Sequence, residues 1–220
     1  MNIVMLGGPG AGKGTASAEL SKVFGIPHIS TGDIFREAMK NGTELGKTVQ
    51  DYMNRGVLVP DEIVNAIVKE RIAQNDCDKG VILDGFPRTR MQAIALQEML
   101  NETGKKLDAA IELSIPDEDI VKRITGRRVC SNKECGAIYN IVTRPPQEEG
   151  KCDVCGSVLA TRKDDNAETV QIRLEEYHKN AEDLITYYKE EKQLKSIYPS
   201  IYDENSLAKI VEEVKEYLGK

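Results

Sequence analysis

The sequence predicts an α/β fold, a five-stranded parallel sheet with helices packed on both faces. Two observations carry that prediction. Short apolar runs alternate along the chain with longer amphipathic segments, and the first run passes through a glycine-rich turn straight into a helical pattern. Apolar runs without polar alternation read as strands buried on both sides, which a helix-covered parallel sheet demands. The 220 residues, 40% hydrophobic and 30% charged, suffice for one domain with insertions or two small ones.

The elements follow in order. Ile3–Leu6, Pro27–Ile29, Val81–Leu83 and Ala109–Leu113 read as strands, and a run near Ile197–Tyr202 as the fifth. The first helix runs from the glycine turn to about Phe24. Thr31–Val59 is helical with no strand of its own, and Arg128–Thr161 is rich in Cys, Gly and Pro, so both read as insertions. The segments 1–30, 60–127 and 162–220 then form the core. Asp117–Gly126 reads as a helix after Pro116, with Arg123 and Arg127 on one face if it continues that far. The clearest helix is Ala167–Tyr188. Val170, Leu174, Tyr177, Ala181, Leu184, Ile185 and Tyr188 recur there at spacings of three and four, and Asp165 with Glu168 resembles a capping box. The last helix carries Leu207, Ile210, Val211, Val214, Tyr217 and Leu218 in the same rhythm.

A net charge of −6 argues against a general nucleic-acid or membrane-surface binder. No apolar stretch reaches the roughly 18 residues that span a bilayer. Met1–Leu6 has no basic region, so it does not read as a signal peptide. The expectation is a cytoplasmic monomer with small-molecule partners, and no nucleic-acid or membrane partner. Cys77 stands alone and reads as an inert buried thiol.

The motifs carry chemistry. Gly7-Gly8-Pro9-Gly10-Ala11-Gly12-Lys13-Gly14-Thr15 follows the first strand and opens a helix. Closely spaced glycines let backbone N–H groups converge on phosphate oxygens, and the helix N-terminus adds positive potential. Lys13 supplies a cation for the β- and γ-phosphates and Thr15 a hydroxyl; Gly14 stands where the general pattern has Ser or Thr. Asp84 ends the apolar strand Val81–Leu83. Alone, Asp84-Gly85 is a turn pair. Beside a phosphate loop, at the carboxyl end of a parallel strand, Asp84 reads as a holder of Mg²⁺ through water. Arg36 and Arg88 offer guanidinium forks suited to a phosphate. Arg55, Arg71, Arg90 and Arg144 read as solvated charges, and His28 and His178 as packing or surface residues.

Cys130-x4-Cys135 and Cys152-x2-Cys155, sixteen residues apart, fit a tetrahedral Zn²⁺ held by two knuckles better than they fit free thiols or an iron–sulfur cluster. Four thiolates leave no open position, so such a zinc is structural and replaces a core that this segment is too small to build.

Gly7–Thr15, Ser30-Thr31-Gly32-Asp33-Ile34-Phe35-Arg36, Leu83-Asp84-Gly85-Phe86-Pro87-Arg88, Gly126-Arg127-Arg128 and Arg162-Lys163-Asp164-Asp165-Asn166 occur in that order. Together they resemble the adenylate kinase family over nearly the whole chain. The resemblance implies a P-loop NTPase-type three-layer fold, with an AMP-binding insertion at 31–59 and a zinc-bearing lid at 128–161. It implies reversible transfer between Mg-bound ATP and AMP, giving two ADP. It places Gly10, Ala11, Gly12, Lys13, Gly14, Thr15, Arg127, Ile138 and Tyr139 at ATP. At AMP it places Thr31, Arg36, Val57, Leu58, Val59, Gly85, Phe86, Pro87, Arg88, Gln92, Arg162 and Arg173. Arg123, Arg127, Arg162 and Arg173 are implied to close over the transferring phosphates, with Lys13 and Arg88 completing the catalytic set. Two departures stand out. The family's zinc lids usually hold two residues inside each cysteine pair, and the first pair here holds four. Family members also present a Gly before the last helix, against the ATP adenine, where this chain has Tyr202-Asp203-Glu204-Asn205.

Three rival readings weigh less. A P-loop phosphotransferase for another acceptor is disfavoured by Arg36, Arg88 and Gln92 together. A GTPase-like switch needs Asn-Lys-x-Asp, but Asn132-Lys133-Glu134 is followed by Cys135. A zinc-ribbon nucleic-acid binder needs a basic ribbon with exposed aromatics, and Cys130–Cys155 holds one Tyr and a balanced charge.

Overall fold

The structure, a computed structural model, describes residues 1–132 and 134–220. Lys133, in the Asn132-Lys133-Glu134 run weighed above, lies outside them. The chain runs β1 (Asn2–Leu6), α1 (Lys13–Phe24), β2 (His28–Ser30), α2 (Thr31–Lys40), α3 (Glu44–Arg55), α4 (Asp61–Ile72), β3 (Val81–Asp84) and α5 (Arg90–Glu102). It continues through β4 (Ala109–Leu113), α6 (Asp117–Thr125), β5 (Arg127–Cys130), β6 (Ile138–Asn140), β7 (Leu159–Ala160), α7 (Ala167–Glu190), β8 (Leu194–Ile197) and α8 (Ser206–Tyr217).

Five strands form a parallel sheet in the order β2-β3-β1-β4-β8. The central strand explains its own sequence. Every residue of β1 is buried, with Val4 and Leu6 packing into the core on one face and Ile3 and Met5 into the core on the other. A strand alternates its side chains, so only an unbroken apolar run can fill both. The first core takes in Val49 of α3, Val64 of α4, Leu96 of α5 and Leu184 of α7; the second takes in Leu20 of α1 with Ile210 and Val214 of α8. Each such side chain contributes about 1.5–3 kcal/mol by leaving water. Cys77 is buried at the edge of the first core, its thiol pushed up by burial. Arg71, expected to be solvated, donates both Nη atoms to Asp76 and one to the Cys77 sulfur.

Helix starts follow the caps. The side chains of Ser30, Thr43 and Thr89 accept from the backbone N–H three residues on, fixing α2, α3 and α5. In α7 the cap is Asn166, whose Oδ1 accepts from Thr169 N at 2.9 Å, and not Asp165. Asp165 is drawn away because its carboxylate is buried against Arg127. The fifth strand also differs, lying at Leu194–Ile197 rather than Ile197–Tyr202. Backbone pairing with β4 decides this: Ala110 pairs with Leu194 and Leu113 with Ile197, while Pro199 has no N–H to continue the ladder. Tyr198 and Tyr202 are exposed beyond it.

Two segments interrupt the alternation. Helices α2 and α3 lie between β2 and β3, and the antiparallel sheet β6-β5-β7 lies between α6 and α7. Helix α6 ends at Thr125, so Arg127 opens β5 and does not share a helix face with Arg123. Among the described residues no helix is long and apolar enough to cross a membrane.

Candidate active site

A cleft of about 1100 Å³ opens over the carboxyl ends of β1 and β3, walled by α2, α3, α7 and the small antiparallel sheet. Its floor is the Gly7–Thr15 loop. Gly7 and Gly12 have φ of 129° and 100°, in the left-handed region that glycine tolerates. A Cβ on Gly7 would also collide with the carbonyl of Leu113. Lys13 folds back and donates from Nζ to the carbonyls of Gly7 and Gly8 at 2.7 and 2.8 Å. Burial is the main reason its pKa falls from 10.5 to about 8, with Arg88, Arg173 and Arg127 adding repulsion that Asp84 partly offsets.

Gly14, the departure in the loop, has a spatial role. A Cβ there would sit 3.3 Å from Asp84 Oδ2, so a bare position lets the carboxylate face the start of α1. Burial works against the charge on Asp84. The His28 ring, Lys13 and Arg88 outweigh it and hold the carboxyl below its usual range. His28 Nε2 lies 3.7 Å from Asp84 Oδ2 and has no hydrogen-bond partner among the described residues, so the histidine read as packing lines the cleft beside this group. A lone ionised carboxylate beside a phosphate loop suits a hydrated divalent cation.

Among the cations lining the cleft are Lys13, Arg36, Arg88, Arg123, Arg127, Arg162 and Arg173, and Lys40 lines it as well. Arg36 grips Asp33 through Nε and Nη2, and Arg162 approaches the same Asp33 oxygen at 3.6 Å. Arg127 forms a fork-to-fork pair with Asp165 at 2.7 and 2.5 Å. Arg173 reaches Asp164 at 3.0 Å and Asp165 at 3.8 Å. Arg88 donates from Nε to Gly85 O, and Arg123 from Nη1 to Ala11 O. Burial first, then mutual repulsion, pushes Arg162 and Arg173 down to about 10. Cations this crowded have room for more anionic charge than the protein supplies.

Gly10, Gly12, Gly14, Thr15, Val57, Leu58, Gly85, Pro87, Ile138 and Tyr139 line the same cleft. Ala11, Thr31, Val59, Phe86 and Gln92 are buried and do not line it. Thr31 donates to Gly85 O at 3.0 Å, and Gln92 bonds to Arg88 N and Asp61. Arg144 also lines the cleft, 6.0 Å over the Tyr139 ring. Sequence reasoning gave no role to Asp33 and Asp164 and read Asp165 only as a helix cap, although all three carboxylates hold the arginines and each lay inside a quoted motif. Tyr202-Asp203-Glu204-Asn205 is tied to the last helix by Lys209, which donates to Asp203 at 2.7 Å.

The four cysteine sulfurs lie within 4.8 Å of one another. Cys130 and Cys155 are 3.4 Å apart, and Cys135 and Cys152 3.6 Å. Sulfurs about 2.3 Å from a central zinc in a tetrahedron stand about 3.8 Å apart, so the cluster fits zinc and the longer first pair closes. Hydrogen bonds involving Ser157 hold the Cys155 thiol down at about 6, while burial pushes Cys130 up to about 12. Tyr139 Oη accepts from Asp153 N at 2.8 Å and lies 3.5 Å from Cys152 Sγ.

The family model described as adenylate kinase matches residues 5–193. An adenylate kinase of Caldicellulosiruptor bescii is 52% identical over 219 residues, covering 100% of this chain and 99% of that protein. One from Archaeoglobus fulgidus is 57% identical over 189 residues, 86% of each chain, and one from Pseudothermotoga lettingae is 49% identical over 220 residues, 100% of this chain and 99% of that protein. With the loop, the convergent cations and these relatives in hand, the chain belongs to the adenylate kinase family and is a nucleoside monophosphate kinase.

Proposed function

We propose that the chain catalyses the reversible, magnesium-dependent reaction of ATP with AMP to give two ADP. One observation carries the reading: Lys13 and a ring of arginines converge on a single cleft in a protein of net charge −6. Two polyphosphates brought end to end need that concentration of positive charge.

The main-chain amides of Gly10–Thr15, with Lys13, Thr15 and Arg127, would hold the donor phosphates, and Ile138 and Tyr139 would border its nucleoside. Arg36 and Arg88 would grip the acceptor phosphate. Thr31, Val57–Val59, Gly85–Pro87 and Gln92 would form the acceptor's nucleoside site, partly from behind the cleft wall. Arg123, Arg127, Arg162 and Arg173 would spread over the phosphoryl group in flight. Magnesium, when bound, supplies charge neutralisation between the phosphates, and Asp84 would hold it through water. No general base is required, because a monophosphate oxygen with a second pKa of about 6 is already anionic at neutral pH. Arg127 exchanging Asp165 for phosphate, and Arg36 exchanging Asp33, would couple binding to closure of residues 128–161 and 31–59 over the core. Closure would exclude water, the competing acceptor.

Cys130, Cys135, Cys152 and Cys155 would hold a structural zinc in that lid. We further read the protein as a cytoplasmic monomer. Phosphorus NMR of ATP, AMP and Mg²⁺ with the enzyme tests the function. ADP from both nucleotides is expected; inorganic phosphate without ADP overturns it.

A further inference from the structure

Gln92 is 2% exposed, and each end of its amide faces a partner of one kind. Oε1 accepts from the backbone N of Arg88 at 2.7 Å, and Nε2 donates to Asp61 Oδ1 at 2.6 Å. A backbone N–H can only donate and an ionised carboxylate can only accept, so the amide cannot turn over without losing both bonds. Asp61 is itself held, its other oxygen accepting from Thr89 Oγ1 at 2.8 Å. Among the described residues the amide retains one N–H and one acceptor position unspent, beside the Arg88 that lines the cleft. A buried amide with unspent capacity is costly unless a ligand uses it.

We infer that Asp61 is a positioning residue that fixes which way round the Gln92 amide stands and so selects a 6-amino over a 6-oxo purine as acceptor. The inference rests on the proposed reading that this side of the cleft takes a nucleoside monophosphate. A 6-amino purine presents a donor at position 6 and an acceptor at N1; a 6-oxo purine presents the inverse pattern. An amide locked in one orientation matches one of the two.

The test is kcat/KM for AMP and IMP, with ATP as donor, for the parent chain and Asp61→Asn. An asparagine can show Gln92 either an oxygen or an NH₂, so one of the two locks is released. The IMP to AMP ratio of kcat/KM should rise about tenfold, the difference between a charge-assisted and a neutral hydrogen bond. The change should lie in KM for the acceptors, with KM for ATP within twofold. A purely structural loss at the start of α4 would depress both acceptors alike, so a ratio within twofold of the parent overturns the inference. Should Asp61→Asn fail to fold, Asp61→Ser also removes the fixed acceptor and is read the same way. A parent chain that makes no ADP from AMP would instead overturn the reading beneath it.

Discussion

Replacing Asp165 by Ala should destabilise the chain by about 3 kcal/mol, far more than an ordinary charged-residue substitution. The carboxylate is 0% exposed at its side chain and Arg127 only 15%, and the two are joined by two hydrogen bonds at 2.7 and 2.5 Å. Breaking such a pair from one side costs about 3–5 kcal/mol, because it strands the remaining charge. The lower end applies, since Arg127 borders the cleft and can recruit water there. Arg173, 3.8 Å from the same carboxylate, loses a counter-charge as well. At about 2.1 cal/mol/K of unfolding entropy per residue, 3 kcal/mol over a chain of this length lowers Tm by about 6 °C. Calorimetry and urea unfolding followed by circular dichroism would measure it. Asp51→Ala is the control, since its pair with Arg55 is 72% and 64% exposed and should shift nothing measurable. If Asp165→Ala melts within 1 °C of the parent, the buried pair is not what holds β5 to the start of α7.

Lys13→Met should fold normally and lose on the order of 10²–10³ or more in kcat, which single-turnover assays would show. Because the folded pKa of Lys13 is depressed to about 8 from 10.5, the folded chain carries the cost of its charge below pH 8. Stability should rise as pH goes from 8 to 10.5, where the unfolded chain alone keeps the proton, whereas triphosphate affinity should fall above pH 8. Calorimetric titration from pH 7 to 9.5 checks this, and Lys13→Met should flatten the profile. If the cysteine cluster holds the proposed zinc, a chelator should lower the unfolding temperature and added zinc should restore it, read by circular dichroism. Tyr139→Phe should weaken zinc retention about 10–100-fold, measured with a chromogenic chelator: the hydroxyl accepts from Asp153, which leaves its own proton for Cys152.

How much was legible depended on what the physics left local. Ala109–Leu113 was read to the residue because β4 is buried on both faces and a single polar residue, Glu112, interrupts its apolar run. Leu194–Ile197 was missed because an edge strand can carry Lys195, paired with Glu213, and Ser196, bonded to Glu112. The cations of the site were legible as residue types in motifs. Their carboxylate partners were not: an aspartate before a helix looks like a cap, and only the fold reveals that Arg127, 38 residues earlier, ends beside Asp165. The cysteine cluster was legible from spacing alone, since two tight knuckles leave few other uses for four thiols. Gln92 carried no sign that its amide would be tied to Asp61, 31 residues away.

The floor of the cleft has one more consequence. Gly7 is pressed against Leu113, and Lys13 clasps the carbonyls of Gly7 and Gly8, so this surface is made almost wholly of main chain. A synthetic inhibitor anchored there would address atoms that every viable variant must keep. Escape by mutation would have to arise among the arginines around the loop, the side chains proposed to hold the phosphates, where it should cost turnover as well.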